Sequence, residues 1–247
     1  MQILETVRLT KQFSRFSLFG KREVRAVDSL NLQINKGEIF AFLGPNGAGK
    51  TTTINMLIGF IRPTSGEIEL FGNAFTYKDI EIKRRIGYLP EYLQLPDYYR
   101  VYELLELYCN IFNIPKSKHK DIIGQILEDV GICAQKKELI KNLSMGQKRS
   151  LGIAITLINK PELLLLDEPT VYLDPLMIEN IRKLLLKLKN SGTTVFMSSH
   201  TLSEAEKISD RFAIIKEGKL LEQGSTNELT KHISLEDEFL KKVKGDV

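Results

Sequence analysis

Eight consecutive residues limit what this chain can fold into more than anything else in it: Gly44-Pro45-Asn46-Gly47-Ala48-Gly49-Lys50-Thr51. They fit the pattern G-x-x-x-x-G-K-[ST]. Before them runs Ile39-Phe40-Ala41-Phe42-Leu43, a short unbroken apolar stretch that fits a strand buried on both faces of a parallel sheet. After them the spacing predicts a helix over 51–61, stopped by Arg62-Pro63-Thr64-Ser65-Gly66. Small residues in such a loop let backbone N–H groups converge on phosphate oxygens. The following helix adds unpaired N–H groups and the positive end of its dipole. Lys50 supplies a point charge for the β- and γ-phosphates, and the Thr51 hydroxyl is a hard oxygen ligand suited to Mg²⁺. A chance match in a turn is the competing reading, and the strand before and helix after argue against it. The loop alone does not separate a kinase, a GTPase and an ATPase.

A second apolar run, Leu163-Leu164-Leu165-Leu166, ends in Asp167-Glu168. A parallel strand delivers its last residues to the ligand edge of a sheet. Neighbouring residues on an extended chain point in different directions. Asp167 can then help hold a Mg²⁺ shell while Glu168 faces a γ-phosphate and its attacking water. Alone, a strand end capped by solvated acids is the plainer reading; downstream of a phosphate loop it is not. Leu143-Ser144-Met145-Gly146-Gln147 precedes a predicted helix over 147–159. Ser144 fits a cap for that helix, and Gly146 permits close backbone approach. By itself this is a capped helix.

Composition narrows the rest. The 247 residues have room for one large domain or one domain with an inserted subdomain. Lys and Arg total 35 against 31 Asp and Glu, and a net charge of +4 is too mild at this length to imply nucleic acid. With 43% hydrophobic and 27% charged residues, disorder, collagen and coiled coil are poor readings. Cys109 and Cys133 lack metal-ligand spacing and read as buried thiols of a reducing compartment. The N-terminus lacks the basic start and apolar core of a secretion signal. No stretch approaches the ~20 apolar residues that span a bilayer. The chain is therefore expected to be soluble and to reach a membrane only through another polypeptide.

Strands are expected at 1–9, 24–34, 67–71, 86–89, 163–166 and 194–197, with a final hairpin at about 212–223. Helices are expected near 176–190 and from Leu202. The stretch Lys11 to Arg25 reads as a basic, aromatic connection between the first two strands. Residues 91–142 show helical apolar spacing and read as an inserted helical subdomain. Basic stretches at 83–85, 116–120 and 241–244 are separated in sequence and read as solvated faces, with some attraction to anionic lipid.

Taken in order, G-P-N-G-A-G-K-T-T at 44–52, L-S-M-G-Q at 143–147, L-L-L-L-D-E-P at 163–169, L-D-P at 173–175 and S-S-H at 198–200 resemble the nucleotide-binding subunit of an ATP-binding cassette (ABC) transporter. The resemblance runs from about residue 3 to 225. It implies an α/β fold: a P-loop NTPase (RecA-like) core, an N-terminal antiparallel β subdomain and an inserted α-helical subdomain. Residues 1–247 would form one ABC ATPase domain, with 1–40 as β subdomain, 41–90 and 151–225 as core, 91–150 as helical subdomain and 226–247 as a short tail. Two cassettes would pair head to tail around two ATP molecules, so Ser144, Gly146 and Gln147 would serve the partner's nucleotide. Thr52 would join the phosphate cradle beside Thr51. His200 matches the switch histidine at the γ-phosphate, and Asp174 the aspartate that links the two sites. Phe13 stands where the family has an aromatic stacked on adenine; Phe16 and Phe19 are alternatives, because the stretch before Ala26 is longer than usual.

Departures accompany the likeness. Glu91 stands where glutamine is common; it can still ligate Mg²⁺, adds negative charge near the phosphates, and resembles the exporter-type (ABC-2) branch. Met145 replaces a glycine, and Val171-Tyr172 replace small residues. Six of the eight tyrosines, Tyr88, Tyr92, Tyr98, Tyr99, Tyr102 and Tyr108, cluster where the family receives a helix of its membrane subunit, and Tyr98 and Tyr99 are the expected groove residues. The expectation is an active ATPase using ATP and Mg²⁺, bound to a second cassette and to integral membrane permease subunits. It would lie on the cytoplasmic face of the cell membrane and work in export rather than import. No nucleic acid partner is expected. The alternative is a soluble cassette ATPase acting on nucleic acid, ribosomes or cofactor assembly; those acting on nucleic acid or ribosomes usually carry two cassettes or a long coiled coil, which this length does not fit.

Overall fold

The apolar runs of the sequence lie side by side in the middle of the molecule. The computed structural model describes residues 1–17 and 20–244. The strands are β1 (Gln2–Ser17), β2 (Gly20–Asn35), β3 (Ile39–Leu43), β4 (Ser65–Leu70), β5 (Asn73–Ala74), β6 (Ile86–Leu89), β7 (Leu163–Asp167), β8 (Thr194–Ser199), β9 (Arg211–Lys216) and β10 (Lys219–Ser225). The helices are α1 (Lys50–Leu57), α2 (Ile80–Arg84), α3 (Val101–Ile111), α4 (Lys116–Asp129), α5 (Met145–Leu157), α6 (Pro175–Asn190), α7 (Leu202–Ile208), α8 (Thr226–Leu229) and α9 (Leu235–Lys244).

One sheet has six strands in the order β10-β9-β3-β8-β7-β6. Its members β9, β3, β8, β7 and β6 run parallel, and β10 closes the edge antiparallel to β9. Side chains alternate between its two faces. Ile39, Ala41, Leu43, Leu164, Leu166, Val195 and Met197 pack toward the helical side. Phe40, Phe42, Leu163, Leu165 and Phe196 face the other way, onto α1 and the second sheet. Burial on both faces is why these strands read as continuous apolar runs rather than alternating ones.

The second sheet is antiparallel, in the order β2-β1-β4-β5. It differs from the sequence reading in two ways. β1 and β2 continue through the stretch expected to be a connection, with Phe13 opposite Val24 and Gln12 opposite Arg25. Phe13 and Val24 are both exposed, so no buried face imposes an alternating pattern there. The strand expected at 67–71 is β4, and it pairs with β1 rather than with the central sheet.

α1 ends at Leu57, earlier than expected, because Gly59 turns the chain at φ +73° and its N–H donates to the Met56 carbonyl at 3.0 Å. α5 begins at Met145 and crosses the boundary expected at 150. Its first turn closes a capping box: Ser144 Oγ accepts from the Gln147 N–H at 3.2 Å, and Gln147 Oε1 accepts from the Ser144 N–H at 2.9 Å. Cys109 is buried as expected, but Cys133 is exposed, since its short 3₁₀ turn sits on the surface. Of the tyrosine cluster, Tyr99, Tyr102 and Tyr108 pack on the core, while Tyr92 and Tyr98 are exposed. Tyr98 leans on Tyr99 with ring centroids 4.9 Å apart.

Candidate nucleotide site

The carboxyl ends of β3, β6, β7 and β8 meet at one edge of the parallel sheet. That edge is where an α/β sheet presents residues to a ligand. β3 delivers the glycine-rich loop, β6 delivers Glu91, β7 delivers Asp167 and Glu168, and β8 delivers His200. Together with Ala26 of β2, Tyr92 and Val171, they line an open cleft of about 460 Å³. Pro45, Asn46, Gly47, Ala48, Gly49, Lys50, Thr51 and Thr52 form one wall of it.

Two glycines make the loop possible. Gly44 leaves no room for a side chain, because a Cβ there would lie 2.5 Å from the Ile215 carbonyl oxygen. Gly49 has φ +106°, and a Cβ on it would lie 2.3 Å from the carbonyl oxygen of Ala26. The hairpin is thus seated directly on the loop. α1 starts at Lys50, with no side chain capping its first turn, so its N–H groups face the cleft unpaired by a cap.

The charged groups already bind one another. Lys50 Nζ donates to the Gly44 carbonyl at 2.7 Å and lies 3.5 Å from Glu168 Oε1. The other oxygen, Glu168 Oε2, lies 2.8 Å from His200 Nδ1 and accepts from the His200 N–H at 3.2 Å. Lys50 and Glu168 are buried, whereas the His200 side chain is 54% exposed. Glu168 adopts a left-handed backbone, φ +52°. In a non-glycine residue that conformation costs about 1–3 kcal/mol and persists where surroundings over-determine it.

Asp167 is fully buried. Its Oδ1 accepts from the Ser198 hydroxyl at 2.5 Å, and the same hydroxyl oxygen accepts from the Glu168 N–H at 2.9 Å. Its Oδ2 is buried with no hydrogen-bond partner among the described residues. An orphaned carboxylate oxygen at a cleft floor is a fit for a hard cation or its water shell.

Arg149 was not singled out by its sequence. It projects from α5 into the ground between two cleft segments and is 3% exposed. Its guanidinium donates to the carbonyls of Pro90 and Glu91 on one side, and to those of Asp167 and Glu168 on the other. Burial pushes its pKa down to about 10, against the pull of Asp167, Glu168 and Glu91, so it stays charged at neutral pH. A basic residue on the buried face of a helix is the one sequence signal that marks it. Ser198 was within a quoted motif but carried no role; its hydroxyl orients Asp167. Tyr88 lies beneath the cleft, where burial and then Asp167 raise its pKa to about 12.

Other expected site residues stand apart from this cleft. Phe13 does not line it: the ring is on the outer hairpin, with Lys11 Nζ 5.1 Å above its centroid. The hairpin residue at the cleft is Ala26. Phe19 and the side chain of Phe16 lie outside the described residues. Ser144, Gly146 and Gln147 form the first turn of α5, and Asp174 caps α6 by accepting from the Met177 N–H at 2.8 Å. None of these four lines the cleft of its own chain.

The sequence over residues 27–171, more than half the chain, matches the ABC transporter family. This chain belongs to that family. It is 45% identical over 225 residues to the bacitracin transport ATP-binding protein BcrA of Bacillus licheniformis, covering 90% of this chain and 69% of that protein. It is 37% identical over 203 residues to the lantibiotic transport ATP-binding protein SrtF of Streptococcus pyogenes, covering 82% of this chain and 85% of that one. A dimeric bacterial ABC transporter cassette superposes with a TM-score of 0.83 at 26% identity, covering 91% of this chain and 99% of that one. A dimeric cassette in a post-hydrolysis state, bound to ADP and Pi, superposes with a TM-score of 0.82 at 26% identity over the same shares. The cassette binds and hydrolyses ATP as the ATPase subunit of a transporter. Among the described residues no helix is long and apolar enough to cross a membrane.

Proposed function

We propose that this cassette powers export through a separate integral membrane permease, pairing with a second cassette around ATP at the cytoplasmic face of the membrane. The observation that carries the catalytic part is the meeting of Lys50, Glu168 and His200 at the ends of β3, β7 and β8. The names of the relatives support bacitracin or a lantibiotic as the cargo class. Glu91 supports the exporter-type branch.

ATP enters with its phosphates against Gly44, Pro45, Asn46, Gly47, Ala48, Gly49, Lys50, Thr51 and Thr52. Lys50 exchanges Glu168 for the β- and γ-phosphates, which frees the Glu168 carboxylate. Glu168 then accepts a proton from water as the water oxygen attacks the γ-phosphorus and ADP leaves. His200, held by Glu168, donates toward the γ-phosphate. Thr51, Asp167 and Glu91 are the oxygen donors that would hold Mg²⁺, and the free Asp167 Oδ2 suits that role. Bound Mg²⁺ supplies neutralisation of the charge on the phosphate oxygens. Phe13 reaches adenine only if ATP extends outward along the hairpin. Ser144, Gly146, Gln147 and Asp174 face the partner cassette and its nucleotide.

Glu168→Gln tests this reading. It should lower turnover by roughly 10²–10⁴-fold, the usual worth of a general base, while ATP binding persists. With Mg-ATP and detergent-solubilised native membranes, the tagged variant should bring down a polytopic membrane protein. Capture of only soluble proteins, RNA or ribosomes would remove the transport reading, and unchanged turnover would remove Glu168 from catalysis.

A further inference from the structure

We propose that Arg149 is a positioning residue for hydrolysis: its guanidinium ties the end of β7 to the segment after β6, so that the aim of Glu168 depends on where the Glu91 segment sits. The inference rests on Glu168 acting as the base. Arg149 is not among the residues lining the cleft, and its hydrogen bonds run to backbone carbonyls.

The geometry is specific. One terminal nitrogen of Arg149 donates to the Pro90 and Glu91 carbonyls, the latter at 3.1 Å. The other donates to the carbonyls of Asp167 and Glu168, the latter at 2.8 Å. Two successive carbonyls cannot converge on one donor from an extended strand, where they alternate in direction. They converge here because Glu168 turns left-handed, φ +52°. That same turn carries the Glu168 carboxylate between Lys50 and His200. The guanidinium therefore holds the backbone conformation that aims the carboxylate. Its Nε has no hydrogen-bond partner among the described residues, so the fork alone fixes it.

The clamp has three attachments. The arginine stands on α5 two residues beyond Gln147 of the capping box. Its two nitrogens reach the Glu91 and Glu168 segments. Displacement of the Glu91 segment or of the α5 start is thus passed to Glu168 through a rigid planar group. A lysine, a point charge on a flexible stem, cannot hold both carbonyl pairs.

The test uses the purified full chain with Arg149→Lys, Arg149→Met, Glu168→Gln and the double variant Arg149→Lys with Glu168→Gln. Leu151→Ala, a buried truncation on the same helix, controls for destabilisation. Misplacing a catalytic group by about 1 Å costs on the order of 10²-fold. Arg149→Lys is therefore expected to lower kcat at least about tenfold with KM for Mg-ATP within about threefold. The double variant should turn over no more slowly than Glu168→Gln, because both act through one group. Leu151→Ala should keep kcat below its Tm. Should Arg149→Lys not fold, Arg149→Met replaces the buried charge with apolar bulk, a change that folds well elsewhere, and must show the same kcat loss. A kcat within twofold of wild type, a matching rise in KM, or a further tenfold loss in the double variant would overturn the proposal. The Glu168→Gln arm alone reports on the base, so the two failures are distinguishable.

Discussion

Ser198 shows how much one hydroxyl carries at this site. It donates to Asp167 Oδ1 and accepts from the Glu168 N–H, so it orients both carboxylate residues from the neighbouring strand. Ser198→Ala leaves a buried carboxylate oxygen and a buried N–H unpaired. That should destabilise the fold by about 1–3 kcal/mol. It should also raise the Mg²⁺ concentration needed for half-maximal ATPase activity, because Asp167 loses its fixed direction. A Mg²⁺ titration of hydrolysis checks this; an unchanged midpoint would detach Ser198 from the metal side of the cleft. At this scale the sequence was informative where chemistry sets the spacing. Lys50, Asp167 and Glu168 all reach one cleft, each from a short motif whose spacing the chemistry explains, and His200 joins them at a position expected only from the family resemblance. Arg149 and the role of Ser198 were not legible. Both act through carbonyls or hydroxyls brought together only by strand pairing, and no local pattern encodes such a meeting.

At the scale of elements, the end of the sheet away from the cleft is pinned by polar groups. Arg85 donates through Nε and a terminal nitrogen to the two Glu162 oxygens at 2.7 and 3.1 Å, tying the start of β6 to that of β7. The Glu162 backbone reinforces this, accepting from Thr194 at the start of β8 at 2.9 Å. The hydrogen bond from Arg85 holds the Glu162 carboxyl below the usual glutamate value. A carboxyl depressed in the folded state contributes stability above its unfolded pKa and loses it as pH falls through the folded one. Both side chains are about 40% exposed, so solvent screens the pair to about 1 kcal/mol or less. Glu162→Gln should lower stability by that amount at neutral pH, and the gap should close in acid. Urea denaturation across pH checks it; a gap that persists in acid would mean that packing, not charge, was lost. The buried parallel strands were readable as apolar runs for the reason that made them strands. The hairpin around Phe13, Ser14, Glu23 and Val24 was not, since all four are exposed and no alternation is imposed there.

For the whole molecule, the α/β arrangement was expected from the resemblance to the cassette family, with the apolar runs marking its buried strands, but the pairing of β4 with the hairpin was not, because sheet membership is set by long-range register. The surface expected to meet a second cassette carries the chain's own deviations. Met145 and Tyr172 are 58% and 57% exposed, at positions where the resembling family has small residues. Tyr172 also holds φ +68°. Its carbonyl lies 3.0 Å from where a Cβ on Gly146 would stand, so it adjoins the start of α5. An exposed aromatic in a disfavoured backbone conformation is costly to keep unless it is covered in the assembly, and tyrosine is a frequent interface anchor. Tyr172→Gly relieves about 1–2 kcal/mol of left-handed strain and adds about 0.5–1 kcal/mol of glycine entropy, so the isolated chain should gain no more than about 1.5 kcal/mol of stability. ATP-driven association of the Glu168→Gln chain should instead weaken at least about tenfold, the loss of one interface anchor. Sedimentation with and without Mg-ATP measures both states. Equal or tighter association in the glycine variant would mean that Tyr172 faces solvent in the assembly and that the partner is held elsewhere.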